Sequence, residues 1–385
     1  MSRLFKGAAG ALAVLTLAGL AILWPRAGHT PLGVDIGVTS EKAKVLDVDE
    51  TFCPGFGERR CQLVRMRLET GPDAGHEARM RLGATGLVDP DVDPGDDIKV
   101  TQTPDPPAGA EPVPGGEYAL YDFERGRPLV ILALLFVAVV LVFARLRGAL
   151  SLAGLAASLA LVLLFIVPAI SDGESPLAVA VVGSLAMALI TIPLAHGWGA
   201  KSLAALLGSA ASLLLTAGLA LIFIEATHLT GFSSEEATYL NLAGADISLE
   251  GLLLAGMVVG ALGVLDDVTV SQASTVLALR GANPSMRYRE LFGRAMRVGR
   301  DHVSATVNTL VLAYVGAALP ILLIFSSTEL GLGDALGLEI VAKEVVAMLV
   351  GSIGLIAAVP VTTALAASLA LQQPPPQAAD AGHAH

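Results

Sequence analysis

Between residues 128 and 369 the chain is a near-continuous series of apolar runs, each long enough to cross a lipid bilayer, and this limits what it can fold into. A hydrocarbon core of about 30 Å takes about 20 residues of helix. Charged residues and Gly/Pro clusters divide the stretch into seven runs: 128–144, 149–170, 177–195, 202–224, 251–279, 302–325 and 341–369. An eighth, 7–24, follows a short basic start with Arg3 and Lys6. In hydrocarbon each backbone polar group must find its partner within the protein, so these runs read as helices. Composition agrees, with 54% hydrophobic and 15% charged residues in 385 and a mean hydropathy of +0.68. The expected fold is an α-helical polytopic membrane protein of about eight spans.

Charge sets the expected topology, because Lys and Arg concentrate on the cytoplasmic side. Arg3 and Lys6, Arg145 and Arg147, Lys201, and the cluster Arg280, Arg287, Arg289, Arg294, Arg297 and Arg300 fall on every second connection. The alternate connections carry only acids: Asp172 and Glu174; Glu225, Glu235, Glu236, Asp246 and Glu250; Glu329, Asp334 and Glu339. Both termini are therefore expected in the cytoplasm. The first run, 1–24, reads as an anchor; a cleaved signal peptide is the alternative, but Trp24, Pro25 and Arg26 make a poor cleavage site. The tail, 372–385, is low-complexity and reads as disordered, and His383 and His385 are too few for a metal site.

Residues 25–127 are the one long polar region and are expected outside the cytoplasm. Period-two alternation marks five strands, at 42–48, 61–68, 77–82, 97–101 and 117–123, with Gly, Pro and Asp between them. Five short strands point to a small all-β domain, a barrel or sandwich, similar to the oligonucleotide/oligosaccharide-binding type. Cys53 and Cys61 flank a Pro/Gly turn and are disulfide candidates in an oxidising compartment. Residues 104–116 read as a linker. The acidic run Asp89, Asp91, Asp93, Asp96 and Asp97 lacks EF-hand spacing and carries Pro90 and Pro94, so it reads as a solvated loop.

A net charge of −11 argues against a nucleic-acid partner, and two cysteines against a thiolate metal cluster. No G-x-S-x-G, Walker A or H-E-x-x-H pattern occurs. Gly331-Leu332-Gly333-Asp334 matches the G-x-G-D of intramembrane aspartyl proteases, but it lies in an acidic connection, and the one Tyr-Asp pair, Tyr121-Asp122, lies in the polar region. No enzyme, metal or cofactor is expected.

The polar centre is the run 251–279, which carries Asp266 and Asp267 and then Thr269, Ser271, Gln272, Ser274 and Thr275. Ionisable groups at membrane depth are rare and mark functional sites. Adjacent carboxylates cannot share one helix face, and their repulsion and desolvation favour a proton or cation on at least one. Asp267, Ser271, Ser274 and Thr275 fall near one face. Asp301, Thr306 and Asn308 on the next run, and Thr362 on the last, complete the candidate set. Three runs share a pattern, V-G-S-L-A at 182–186, V-G-A-L-G at 259–263 and V-G-S-I-G at 350–354, and Pro193, Thr269 and Pro360 follow at offsets that agree within one residue. This reads as three parallel hairpin repeats with interrupted helices, as in some transporters.

The segments GALGVLDDVTVSQAS, GRDHVSATVNTLVLAYVGAALP and VGSIGLIAAVPVTTALA resemble the YibE/F-like family of bacterial multi-pass membrane proteins over 128–369. The resemblance implies an inner-membrane protein. It places the family's polar positions on Asp267, Asp301, Asn308 and Glu344, with Asp266 less typical, so Asp267 carries more weight and Asn308 is its expected neighbour. It does not supply an activity. The expected function is a secondary transporter or permease for a small ion or solute. The alternative is a membrane-anchored binding or assembly protein that meets a protein partner through 25–127.

Overall fold

The computed structural model describes residues 3–25, 40–53, 60–83, 90–103, 116–242, 247–327 and 331–372. The readings of 54–59 as a turn, of most of the 104–116 linker, of Asp89 and of the tail beyond 372 fall outside these residues. The chain divides into two compact units, Val34–Val142 and, together, Met1–Gly33 with Phe143–His385. The division between the units falls inside the helix that begins at Gly126. The residues before Phe143 cluster with the β-strands, and the most apolar window of this helix buries none of its residues.

The Val34–Val142 unit is a closed five-stranded barrel. Strands β1 (Ser40–Phe52), β2 (Arg60–Leu68), β3 (Glu77–Leu82), β4 (Asp97–Gln102) and β5 (Tyr118–Phe123) join in the order β1-β2-β3-β5-β4, with β4 closing on β1. All pairings are antiparallel except β3 with β5. Alternation sends Ala43, Val45, Val64, Met66, Met80, Ile98 and Val100 into one apolar core and leaves the charged residues between them outside. A register shift between Val45 and Asp47 lets the long β1 serve both neighbours. Cys53 and Cys61 form a disulfide, Cα to Cα 5.2 Å, that ties the end of β1 to β2. Outer charges are paired: Lys42 Nζ to Glu124 at 3.2 Å, Lys44 to Asp97 at 3.1 Å and Arg65 to Asp47 at 3.1 Å. Lys42 holds the Glu124 carboxyl below the usual range, and Arg125 does the same for Asp122.

The helices are α1 (Arg3–Ile22), α2 (Gly126–Leu161), α3 (Val167–Ser171), α4 (Pro176–His196), α5 (Ala200–Ala226), α6 (Glu235–Leu242), α7 (Leu249–Ala282), α8 (Tyr288–Ala317), α9 (Leu319–Ser326), α10 (Leu332–Gly337) and α11 (Glu339–Leu371). A π-helical turn, Val162–Ile166, joins α2 to α3. Six stretches among the described residues are long and apolar enough to cross a membrane, or seven if the bent pair α8 and α9 counts as one.

Two departures from the expected eight have local causes. Gly126–Ser171 counts as one stretch of 46 residues, yet Arg145 sits inside it at φ 50, ψ −127, which no helix accommodates. The run 302–325 bends by 62° at Ala318, where Pro320 opens α9 and has no N–H to continue the ladder from α8. The expected interruptions at Pro193, Thr269 and Pro360 are absent: α4, α7 and α11 run through all three positions. The V-G-x-x-x positions also differ in setting, Gly183 buried, Gly260 exposed and Gly351 half-buried.

In the larger unit α5 packs on α7 and α11, α4 on α5 and α7, α8 on the flank of α7 and α11, and α1 against α4 and α5. Small residues permit this closeness. A Cβ on Gly208 of α5 would run into Thr362 Oγ1 of α11, and a Cβ on Gly354 of α11 into Thr216 Oγ1 of α5. Each helix therefore offers a glycine to the other's threonine. Large apolar side chains point outward instead, Phe143 at 91% and Leu323 at 71% exposure among them.

Candidate functional site

The inward face of α7 is Val258, Leu262, Leu265, Thr269, Gln272 and Val276, a helical repeat of three and four residues. Asp266 lies at the edge of this face and Asp267 lies outside it, exposed. Asp266 Oδ2 is 3.3 Å from Thr191 Oγ1 of α4, whose hydrogen also reaches the Met187 carbonyl at 2.9 Å. Ser209 of α5 sets a second hydroxyl beside the carboxyl group. Its short contact, 2.7 Å, is to Thr269 Oγ1. Thr269 donates its one hydrogen to the Asp266 carbonyl at 3.2 Å, so Ser209 is the donor between the two hydroxyls. Asp266 Oδ1 is buried and, among the described residues, has no hydrogen-bond partner.

Gln272 fastens the next level. Its Nε2 donates to the Ala295 carbonyl of α8 at 3.1 Å and to Thr363 Oγ1 of α11 at 2.7 Å. Gly299 of α8 leaves room for the amide, since a Cβ there would stand 2.9 Å from Gln272 Oε1. Among the described residues, four hydroxyls on the bundle helices are also buried without a partner: Ser184 of α4, Ser212 of α5, and Ser352 and Thr362 of α11. On α5, Ser202, Ser209, Ser212 and Thr216 are all buried, with spacings of one helical face. They form a polar seam about 21 Å long through otherwise apolar packing.

The remaining sequence candidates are dispersed. Asp301 and Asn308 are exposed on α8, and Asn308 makes no hydrogen bond to Asp267 among the described residues. Thr306 bonds back to the His302 carbonyl at 2.9 Å and Ser271 to the Val268 carbonyl at 3.1 Å. Glu344, half-buried on α11, faces Tyr314 of α8. Asp266, Gln272 and Thr362 are thus the candidates turned toward the bundle interior. Ser184, which lies in the V-G-S-L-A pattern, joins them, as do Thr191, Ser209, Ser212 and Thr216, which no motif announced; the available signal was a hydroxyl recurring every three, four or seven residues in apolar runs. Among the described residues no group of three or more His, Cys, Asp or Glu could hold a metal ion.

These features define a bundle of long apolar helices with a polar seam through an apolar interior, linked through α2 to a small barrel. The profile of the family described as YibE/F-like protein matches residues 132–372, which is more than half of the chain, and the chain belongs to that family. No curated protein and no solved structure matches it.

Proposed function

We propose that the protein is a secondary transporter or permease of the bacterial inner membrane, moving a small ion or solute past the Asp266 carboxyl group. The supporting observation is that group itself, set between α4, α5 and α7 with one oxygen buried and, among the described residues, unpartnered, in a bundle where hydroxyls of α4, α5 and α11 also lack partners. Buried polar groups left unpaired are costly in a packed interior. An all-oxygen donor set suits a proton or a hard cation rather than a soft metal. Asp266 takes the role that sequence reasoning weighted toward Asp267.

In this reading the helices span the membrane eight times. A stretch of 46 residues would be about 69 Å long as one straight helix, more than twice the core thickness, so its break at Arg145 makes two spans. The bent α8 and α9 pair supplies one more. Both termini then face the cytoplasm and the barrel faces outward, where the Cys53–Cys61 disulfide suits an oxidising compartment.

Purified protein in sealed vesicles tests the site. Asp266→Asn should abolish flux driven by a proton or cation gradient, and Asp267→Asn should retain most of it. Unchanged flux in Asp266→Asn for every gradient tried would remove the proposal.

One observation favours the second role, a binding or assembly protein. On the barrel, Arg65 of β2 lies directly opposite Arg79 of β3, a like-charge pair that disfavours the sheet, and Arg79 has no ion pair among the described residues. An anionic partner would relieve it. A chain lacking the barrel that keeps full cellular function would remove this role.

A further inference from the structure

At the end of the bundle that carries Lys6, a groove of about 410 Å³ opens between α1, α4 and α5. Ala9 and Ala13 of α1, Leu189 and Pro193 of α4, and Leu203 and Leu206 of α5 give it apolar walls. It follows α1 for about 10 Å, from Lys6 to Ala13. Its polar groups lie at one end: Lys6, Ser202 and the loop with Trp198, whose indole is 85% exposed. An apolar slot with a cation and an exposed indole at its mouth has the polarity of a phospholipid.

A second, independent feature flanks that loop, at the end of α4 and the start of α5. Lys201 Nζ is 3.2 Å from His196 Nδ1, and Arg147 lies close enough to act electrostatically on both. Among the described residues no carboxylate pairs with any of the three. The first N–H groups of α5 add to the positive field, since Gly199 supplies no side-chain cap. Lys201 and Arg147, with no carboxylate partner among the described residues, favour an anion near them. The groove fixes its kind, because a free phosphate would leave the apolar walls empty.

We infer that this groove and its basic rim bind one anionic phospholipid, the acyl chain lying against α1, α4 and α5 and the phosphate held by Lys201, Arg147 and Lys6. Basic pockets between helices on the cytoplasmic side hold such headgroups in general. The bound lipid would pin α1 to the α4–α5 hairpin. The inference rests on the membrane placement proposed above and not on transport.

The test uses the full chain in nanodiscs of mixed phosphatidylglycerol and phosphatidylcholine, with retained lipid measured by native mass spectrometry. Phosphatidylglycerol should be retained preferentially. Lys201→Ala and Arg147→Ala should each weaken retention about fivefold, Lys201→Arg should restore it, and Arg294→Ala, a cation already paired with Glu290, should change nothing. Ala13→Trp should block the groove and expel the lipid with the charges intact, which separates a lost site from a lost fold. Equal retention of the two lipids, or full retention by Lys201→Ala and Arg147→Ala, overturns the inference; so does displacement of the lipid by inorganic phosphate alone. If alkaline extraction frees the chain from membranes, the membrane placement fails as well. If the chain stays in membranes without lipid preference, only this inference fails.

Discussion

The barrel and the helical bundle both enclose apolar cores, yet they place their polar groups differently. In the barrel the interior is Ala43, Val45, Val64, Met66, Met80, Ile98 and Val100, and the charges stand outside in exposed ion pairs. In the bundle Phe143, Leu164 and Leu323 stand outside, and Ser184, Ser209, Thr216, Thr269 and Gln272 are buried. One chain thus carries two folding solutions. The barrel buries apolar side chains away from water, where each Å² of apolar surface is worth about 25 cal/mol. The bundle gains little that way if lipid surrounds it, and relies on close packing and interhelical hydrogen bonds.

The sharpest attack on that contrast is at the glycines. Gly354→Leu should prevent α5 and α11 from closing, a loss on the order of 3 kcal/mol or more. Thermal unfolding followed separately for helix and barrel peptides by hydrogen exchange should show the bundle failing and the barrel intact. A uniform loss would mean that the two regions fold as one.

Hydrogen bonds should differ in worth between the regions. Gln272→Ala removes two buried bonds and leaves the Ala295 carbonyl and Thr363 exposed to each other across a void, for a loss of about 2–3 kcal/mol. Arg65→Ala on the barrel breaks an exposed pair and should shift stability by about 0.5 kcal/mol or less. Comparable losses at both sites would erase the distinction.

The smallest effect is acid sensitivity of the barrel. Lys42 and Arg125 hold Glu124 and Asp122 below the usual carboxylate range, so the unfolded chain takes up protons before the folded one does. Their contribution is complete above the usual range and is lost as pH falls through the lowered folded values. Lys42→Ala should make barrel stability less dependent on pH in that window; an unchanged profile would mean that Glu124 is held by something else.

The barrel was legible because a strand has only two faces. Once Val64 and Met66 are inside, Arg65 is outside, and each strand expected from alternation lies within its observed counterpart or extends past it by a single residue. The long helices were legible from apolar length. The site was only half legible, for the same physical reason: a helix that is apolar on all sides has no face that the sequence marks as inward. Asp267, Ser271, Ser274 and Thr275 looked like a polar face, yet the last three bond to carbonyls of their own helix. Packing by Leu262, Leu265 and Thr269 turned Asp266 inward instead. Thr191 and Ser209 lie 75 and 57 residues from Asp266, and only the tertiary fold brings them to it.

The mutual insertion of Thr362 beside Gly208 and Thr216 beside Gly354 also bears on the order of synthesis. At about 5–20 residues per second, on the order of ten seconds separates the emergence of α5 from that of α11. During that interval Thr216 of α5 lacks Gly354 beside it, and Gly208 lacks Thr362. The last helix is therefore the closing piece of the bundle, and a chain stopped before it leaves the Gly208 and Thr216 face of α5 uncovered.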